Sequence, residues 1–220
     1  MKLDEAIRGR RSVRHFSSEP VPRPDIEAMI EAARWAPSST NFQPWRFLVV
    51  QRDDLIQRMA RLVYDRFNEA MHEALRRQER RAAALFRFFR SYGSFFDCAP
   101  AVIVACGLPY SMSQFGLSSD QALAKIVQAG GDQVAHIVSS SVDKSVAMAT
   151  QNLLLKAHAM GYGTVAIDTP LAVGDQIKAL LDIPTDDPMR VIVLVALGRP
   201  AEVPEPPQRR TVAEITRFYE

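Results

Sequence analysis

The chain has 220 residues, 47% hydrophobic and 24% charged, the balance of a globular protein with room for one substantial core. Its 27 Lys and Arg against 25 Asp and Glu leave a net charge of only +2, which gives no electrostatic case for nucleic-acid or membrane partners. Two cysteines, Cys98 and Cys106, exclude a disulfide framework and a Cys-rich metal site, and the start MKLDEAIRGRR lacks a secretory apolar stretch, so a cytoplasmic protein is expected.

Leu3, Ala6 and Ile7 share one face of a short predicted helix, Leu3 to Gly9, which runs into the basic stretch Arg8-Gly9-Arg10-Arg11-Ser12-Val13-Arg14. Pro22, Pro24 and Asp25 announce a second helix over 23–36, with Ile26, Met29, Ile30 and Ala33 as its buried stripe and Pro37 as its stop. Strand composition marks residues 45–51, 101–106, 164–167 and 191–196. Between the first two strands lies a long helical region, 53–90, rich in arginine. Residues 115–137 read as partly helical, interrupted at Gly130-Gly131. The clearest helix is 143–160, where Val146, Ala149, Leu153, Ala157 and Met160 share a face and Gly161 supplies the C-cap. The tail after Gly198, RPAEVPEPPQRR, is too rich in proline for helix or sheet and is expected to be extended. No repeat or domain boundary is visible, so residues 1–220 are taken as one domain, with 199–220 as an arm.

Much chemistry is missing. His15, His72, His136 and His158 are scattered without metal-ligand spacing, and no metal site is expected. Gly161-Tyr162-Gly163 follows a helix and precedes a strand, the reverse of the order a dinucleotide-binding turn needs. Three polar segments remain that no core requires. The run Arg10-Arg11-Ser12-Val13-Arg14 is either a solvated face or a set of charge-assisted donors for a phosphate. Ala36-Pro37-Ser38-Ser39-Thr40-Asn41-Phe42-Gln43-Pro44-Trp45 is either a polar turn or a set of donors and acceptors for a flat heterocycle. Gln208-Arg209-Arg210 closes the tail, as a solvated pair or as a further phosphate contact.

Taken in this order, RRSVRHF, APSSTNFQPWRFLVV, GYGTVAIDTPLAVGDQIKALLDIP and VIVLVALGRPAEVPEPPQRR resemble the nitroreductase family over nearly the whole chain. The resemblance implies an α+β fold: a central, mostly antiparallel sheet flanked by helices, whose C-terminal arm crosses to the partner subunit of a homodimer. It implies FMN held without covalent attachment at the dimer interface. Arg10 and Ser12 would hold the phosphate and ribityl chain, with Arg11 beside them, and Arg209 or Arg210 would close on the phosphate. Arg14 would lie at the flavin N1–O2 edge, where a fixed cation stabilises the reduced form. Pro37, Ser38, Ser39, Asn41 and Gln43 would line the flavin, partly from the partner. Pro170, Leu171 and Ala172 would run beneath its central ring, with the Ala172 N–H donating to N5. Relatives often carry an acidic residue and a glycine where this chain has Ala172 and Val173. Asn68 would reach the pyrimidine edge, as an asparagine does in some relatives.

The activity so implied is an FMN-dependent oxidoreductase, hydride passing from NADH or NADPH through flavin N5 to an electron-poor acceptor such as a nitroaromatic or quinone, in ping-pong fashion. No protein acid, base or nucleophile is expected, because the cofactor carries the chemistry. The alternatives are a specialised reductase or dehydrogenase of one metabolite, and a flavin-binding protein without efficient turnover. A variable lid is expected within residues 110–141, with Phe115 as a candidate cap over the flavin. The basic stretch 76–90 is either solvated or a lure for dinucleotide phosphates.

Overall fold

In a computed structural model of the chain, residues 1–110 and 119–220 are described, apart from the side chains of 119, 120, 122, 123, 126, 127, 132–135, 138 and 139. Phe115, the expected cap, lies outside the described residues. The elements are α1 (Leu3–Gly9), α2 (Arg23–Arg34), β1 (Trp45–Val50), α3 (Asp53–Arg76), α4 (Arg80–Ser94), β2 (Ala101–Gly107), α5 (Ser119–Ala159), β3 (Gly163–Ile167), α6 (Gly174–Leu180), β4 (Arg190–Gly198) and α7 (Val212–Ile215). Among the described residues no helix is long and apolar enough to cross a membrane.

The four strands form one antiparallel sheet in the order β1-β2-β4-β3. Because side chains alternate across a strand, the unbroken apolar run of β2 serves two cores. Ala101, Ile103 and Ala105 meet α2 and the second half of α5, while Val102, Val104 and Cys106 meet α3, α6 and Phe96. A bulge in the pairing between Ala105 and Cys106 changes the phase of β4. Val193 therefore faces the first core, and Val191, two residues away, faces the second.

Three predicted boundaries shift. The helical stretch 53–90 is two helices, α3 and α4, folded back on each other at Gln78, whose φ of 62° is left-handed. A second helix ends at Arg34 rather than at residue 36, since Trp35 and Ala36 bond back to Ala32 and Ala33 and Pro37 stops the chain. The tail is extended as far as Thr211, and then one turn of helix, α7, forms on a capping box between Thr211 and Glu214. Only Ala6 of the expected α1 face is buried; Leu3 and Ile7 are exposed. Helix α5 is interrupted at Gly131 (φ 66°) and ends in the cap expected of Gly161 (φ 81°). There the Tyr162 N–H donates to the Ala157 carbonyl and the Gly161 N–H to that of His158, the paired bonds of a Schellman motif.

Candidate functional site

The basic stretch after α1 is fastened to the edge of the sheet. Ser12 bridges Thr164 of β3 in parallel, and the Val13 N–H donates to the Thr164 carbonyl at 3.0 Å. Val13 is buried because Gly163 has no side chain: a Cβ there would lie 2.8 Å from the atoms of Val13. With Val13 pinned inward, its neighbours Ser12 and Arg14 face the other way. The tail then lies along the same segment, as Phe16 bridges Pro200 and the Ala201 N–H donates to the His15 carbonyl.

Two clusters follow from this. At the first, desolvation and then repulsion from Arg209 and Arg11 hold the Arg10 pKa below its ordinary value. His158, in the last turn of α5, is lowered by desolvation and by Arg10 and Arg11. After desolvation, the charges that lower both groups are those of neighbouring arginines, so the corner is a cluster of positive charge. Of the C-terminal pair, Arg209 is the one felt at Arg10. The Arg11 guanidinium turns back instead, with Nη1 donating to the carbonyls of Arg8 (2.6 Å) and Arg10 (3.0 Å), which satisfies acceptors at the end of α1.

At the second cluster, Arg14 Nη2 donates to the Tyr92 hydroxyl at 2.6 Å and its guanidinium lies over the rings of Tyr92 and Phe95. Among the described residues its Nε is buried without a hydrogen-bond partner. A buried, unpaired guanidinium nitrogen is costly and marks a place where a ligand atom can accept. Close by, Gly93 lets α4 press against Thr169, whose Oγ1 would lie 2.7 Å from a Cβ at Gly93. This brings the short 3₁₀ helix Thr169–Val173 to the same end of α4. Within it Pro170 is buried while Leu171 and Ala172 face outward.

The loop Pro37–Gln43 is placed elsewhere. Ser38 Oγ accepts from the Gln43 N–H at 3.0 Å, the Ser39 N–H reaches Ser145 Oγ, and Thr40 Oγ1 bonds the Tyr110 hydroxyl at 2.7 Å. Thr40, Asn41 and Gln43 all have φ between 51° and 54°. Three non-glycine residues in the left-handed region within four positions is a concentration of strain of the kind found at ligand sites. The loop precedes β1 at the Trp45 end, whereas Ser12 joins β3 at the Thr164 end. β1 and β3 are opposite edges of the sheet, so the two segments stand about 14 Å apart across it and about 20 Å along it. Asn68, on α3, is engaged by Arg90, whose Nη1 donates to its Oδ1 at 3.0 Å.

Tyr92, Phe95 and His158 belong to these two clusters, although the sequence alone gave them no binding role. Tyr92 lies near the end of an aromatic-rich helix and Phe95 follows at helical spacing, a pattern that reads as core, and His158 lies in the last turn of α5.

An antiparallel sheet of order β1-β2-β4-β3 between helical layers, with a cationic corner at one edge strand, defines an α+β protein of nitroreductase type. The family model "Nitroreductase family" matches residues 7–199, and the chain belongs to that family. Among curated relatives, iodotyrosine deiodinase of Nematostella vectensis is 27% identical over 96% of this chain and 72% of its own length. A putative NADH dehydrogenase/NAD(P)H nitroreductase of Methanothermobacter thermautotrophicus is 26% identical over 93% of this chain and 80% of its own. The chain spans only 61% of the mouse iodotyrosine deiodinase 1. Among solved structures, a BluB-like flavoprotein from Clostridium difficile 630 superposes with a TM-score of 0.86 at 26% identity, each chain covered completely. A Bacteroides fragilis nitroreductase with bound FMN superposes at 0.68 with 19% identity over both whole chains, a likeness of fold.

Proposed function

We propose that this chain is an FMN-dependent oxidoreductase, working as a homodimer and taking its electrons from NADH or NADPH. The observation that carries the reading is the pairing of an all-cationic corner at Arg10, Arg11 and Arg209 with a buried, unpaired Arg14 Nε. These residues fit FMN: a dianionic phosphate answers the first, and an electron-rich acceptor answers the second. When bound, FMN supplies the redox chemistry, accepting hydride from a reduced nicotinamide and returning two electrons to an electron-poor acceptor such as a nitroaromatic or quinone. Arg10, Ser12 and Arg209 hold the phosphate end, and Arg14 fixes a positive charge where reduction places a negative one. Leu171 and Ala172 present an exposed turn near Arg14, with the Leu171 N–H already donating to the Asp168 carbonyl at 2.9 Å. On this reading the cytoplasm is the compartment.

The second subunit enters because Pro37, Ser38, Ser39, Asn41 and Gln43 stand at the opposite corner of the sheet from Arg10 and Arg14. One flavin touched by both segments takes them from different copies. Exposed Val212, Ile215, Phe218 and Tyr219 on the arm, with Leu3 and Ile7 on α1, are apolar surface suited to a partner. A second reading, reduction of one particular aromatic metabolite, is favoured by the iodotyrosine deiodinase relatives.

An anaerobic absorption spectrum before and after adding NADPH or NADH, with the released flavin identified by chromatography, tests the proposal. The expected result is a yellow protein that releases FMN and is bleached by one of the two nucleotides. A colourless protein that cannot be reconstituted with FMN overturns it.

A further inference from the structure

Among the described residues, the face of α4 that carries Phe88 and Tyr92 is left largely exposed, with Arg14 lying over Tyr92. Phe67 of α3 meets Phe89, which holds α4 from one side. Phe88, Tyr92 and Phe95 form a second stripe, continuing into the turn after α4, and α4 does not need them to dock. Phe88 and Tyr92 stack with centroids 4.9 Å apart and planes 17° from parallel, yet remain 55% and 41% exposed. They line a cavity of about 730 Å³ that also contains Arg14, Arg87, Phe95 and Asp97. That volume is in the range of small-molecule sites.

Its charge is uneven. Arg14 and Arg87 are permanent cations, and Asp97 is the one carboxylate lining it. Arg87 makes no hydrogen bond or ion pair among the described residues, although arginines at similar exposure on α3 do, such as Arg61 with Asp65 and Arg76 with Glu73. An aromatic wall answers a flat ring, and a free guanidinium one helical residue from that wall answers a carboxylate or phosphate carried on it. Arg14 joins this cavity to the proposed flavin edge, so a ring lying against Phe88 and Tyr92 is next to the redox centre.

We propose that the acceptor site selects a planar aromatic molecule bearing an anionic group, and that Arg87 is the residue recognising the anion. This rests on the reading of Arg14 as a flavin neighbour. The test is equilibrium calorimetry on the oxidised protein as purified, without reductant, with its FMN content measured alongside. The probes are 4-nitrobenzoate and its methyl ester, which share ring and nitro group and differ in charge.

The carboxylate is expected to bind about tenfold more tightly than the ester, the ratio one charge-assisted bond supports. Arg87→Gln should abolish that preference while leaving ester affinity and FMN content unchanged, and Phe88→Ala should weaken both probes. Equal affinities for the two probes, a preference that survives in Arg87→Gln, or no binding of either because a second copy closes the cavity, each overturns the proposal. FMN content keeps the two readings apart. Protein with FMN but no preference fails here alone, whereas a preference without FMN fails the flavin assignment alone.

Discussion

Arg14 and Tyr92 are 78 residues apart in sequence, yet Arg14 Nη2 donates to the Tyr92 hydroxyl at 2.6 Å and the guanidinium carbon lies 5.1 Å from the centre of the tyrosine ring. The ring and the hydroxyl fix the cation on one side, and its Nε is left buried and unpaired on the other. A charge held this way does not reorganise when a negative charge develops beside it.

Replacing Arg14 with Ala should therefore make the bound flavin harder to reduce. Loss of one charge-assisted hydrogen bond, about 1.5–3 kcal/mol, corresponds to a two-electron potential roughly 30–60 mV more negative. Tyr92→Phe keeps the charge and removes one of its anchors, so a smaller shift in the same direction is expected. Spectroelectrochemical titration measures both, and an unchanged potential in Arg14→Ala removes that residue from its role.

The cationic corner gives a pH dependence of definite sign. The folded chain holds the His158 pKa below its ordinary 6.5, first by desolvation and then by Arg10 and Arg11. Below pH 6.5 the unfolded chain binds the extra proton and the folded chain resists it, so stability is lost as pH falls through the folded pKa. For a group this exposed the effect is small, roughly 1–2 °C of Tm between pH 7 and 5. His158→Gln should flatten that part of the profile in flavin-free protein. Added FMN should shrink it in the parent, because a phosphate among the cations favours the imidazolium. A thermal-melt series that is identical in parent and variant would count against the placement of His158.

Gly163 has a role that its chain position alone conceals. Alanine there brings a Cβ to 2.8 Å from the Val13 side chain and must push Val13 outward, carrying Ser12 and Arg14 with it. Gly163→Ala is expected to cost about 1–3 kcal/mol of stability, in line with overpacking elsewhere, and to weaken FMN retention. The double variant Gly163→Ala, Val13→Gly also removes Val13 Cβ, itself 2.8 Å from the added methyl group, and should recover part of both. Melting temperature and flavin release on gel filtration report the two effects. A double variant no better than the single one places the damage elsewhere.

Much of this fold was legible because its signals are local. Apolar runs of strand composition gave β1 to β4 within two residues, and Gly161 ended α5 where a left-handed cap was needed. The break between α3 and α4 was not legible: Arg77-Gln78-Glu79 contains no glycine, proline or asparagine, and Gln78 takes φ 62° only because the helices pack as a hairpin. The site divides in the same way. Arg10 and Arg14 announce themselves as cations on either side of the Ser12 hydroxyl, and their pinning by Val13 in the space left by Gly163 is tertiary. Tyr92 becomes a partner of Arg14 only after α4 folds back, and nothing in the local sequence distinguishes it from a core aromatic. The left-handed backbone of Thr40 and Gln43 is likewise imposed by the loop as a whole, through Ser38, Ser145 and Tyr110.

The diagonal separation of Arg10 from Ser39 leads to a test of the dimer by complementation. In a two-fold symmetric dimer each site takes its cationic corner from one copy and its polar loop from the other. Arg10→Ala breaks the first contribution and Ser39→Trp, which fills the loop, breaks the second, so each homodimer should lose high-affinity FMN binding at both sites. After the two variants are unfolded together and refolded as a mixture, each mixed dimer carries one site with both lesions and one with neither. If pairing is random, half the dimers are mixed, and about a quarter of all sites should regain FMN at parental affinity. Flavin fluorescence quenching during titration counts those sites. Recovery near a quarter requires that the corner and loop of one site come from different chains. No recovery, with mixed dimers verified by mass spectrometry, would mean that each chain builds its site alone and that the loop at Ser38–Gln43 bends back across its own sheet.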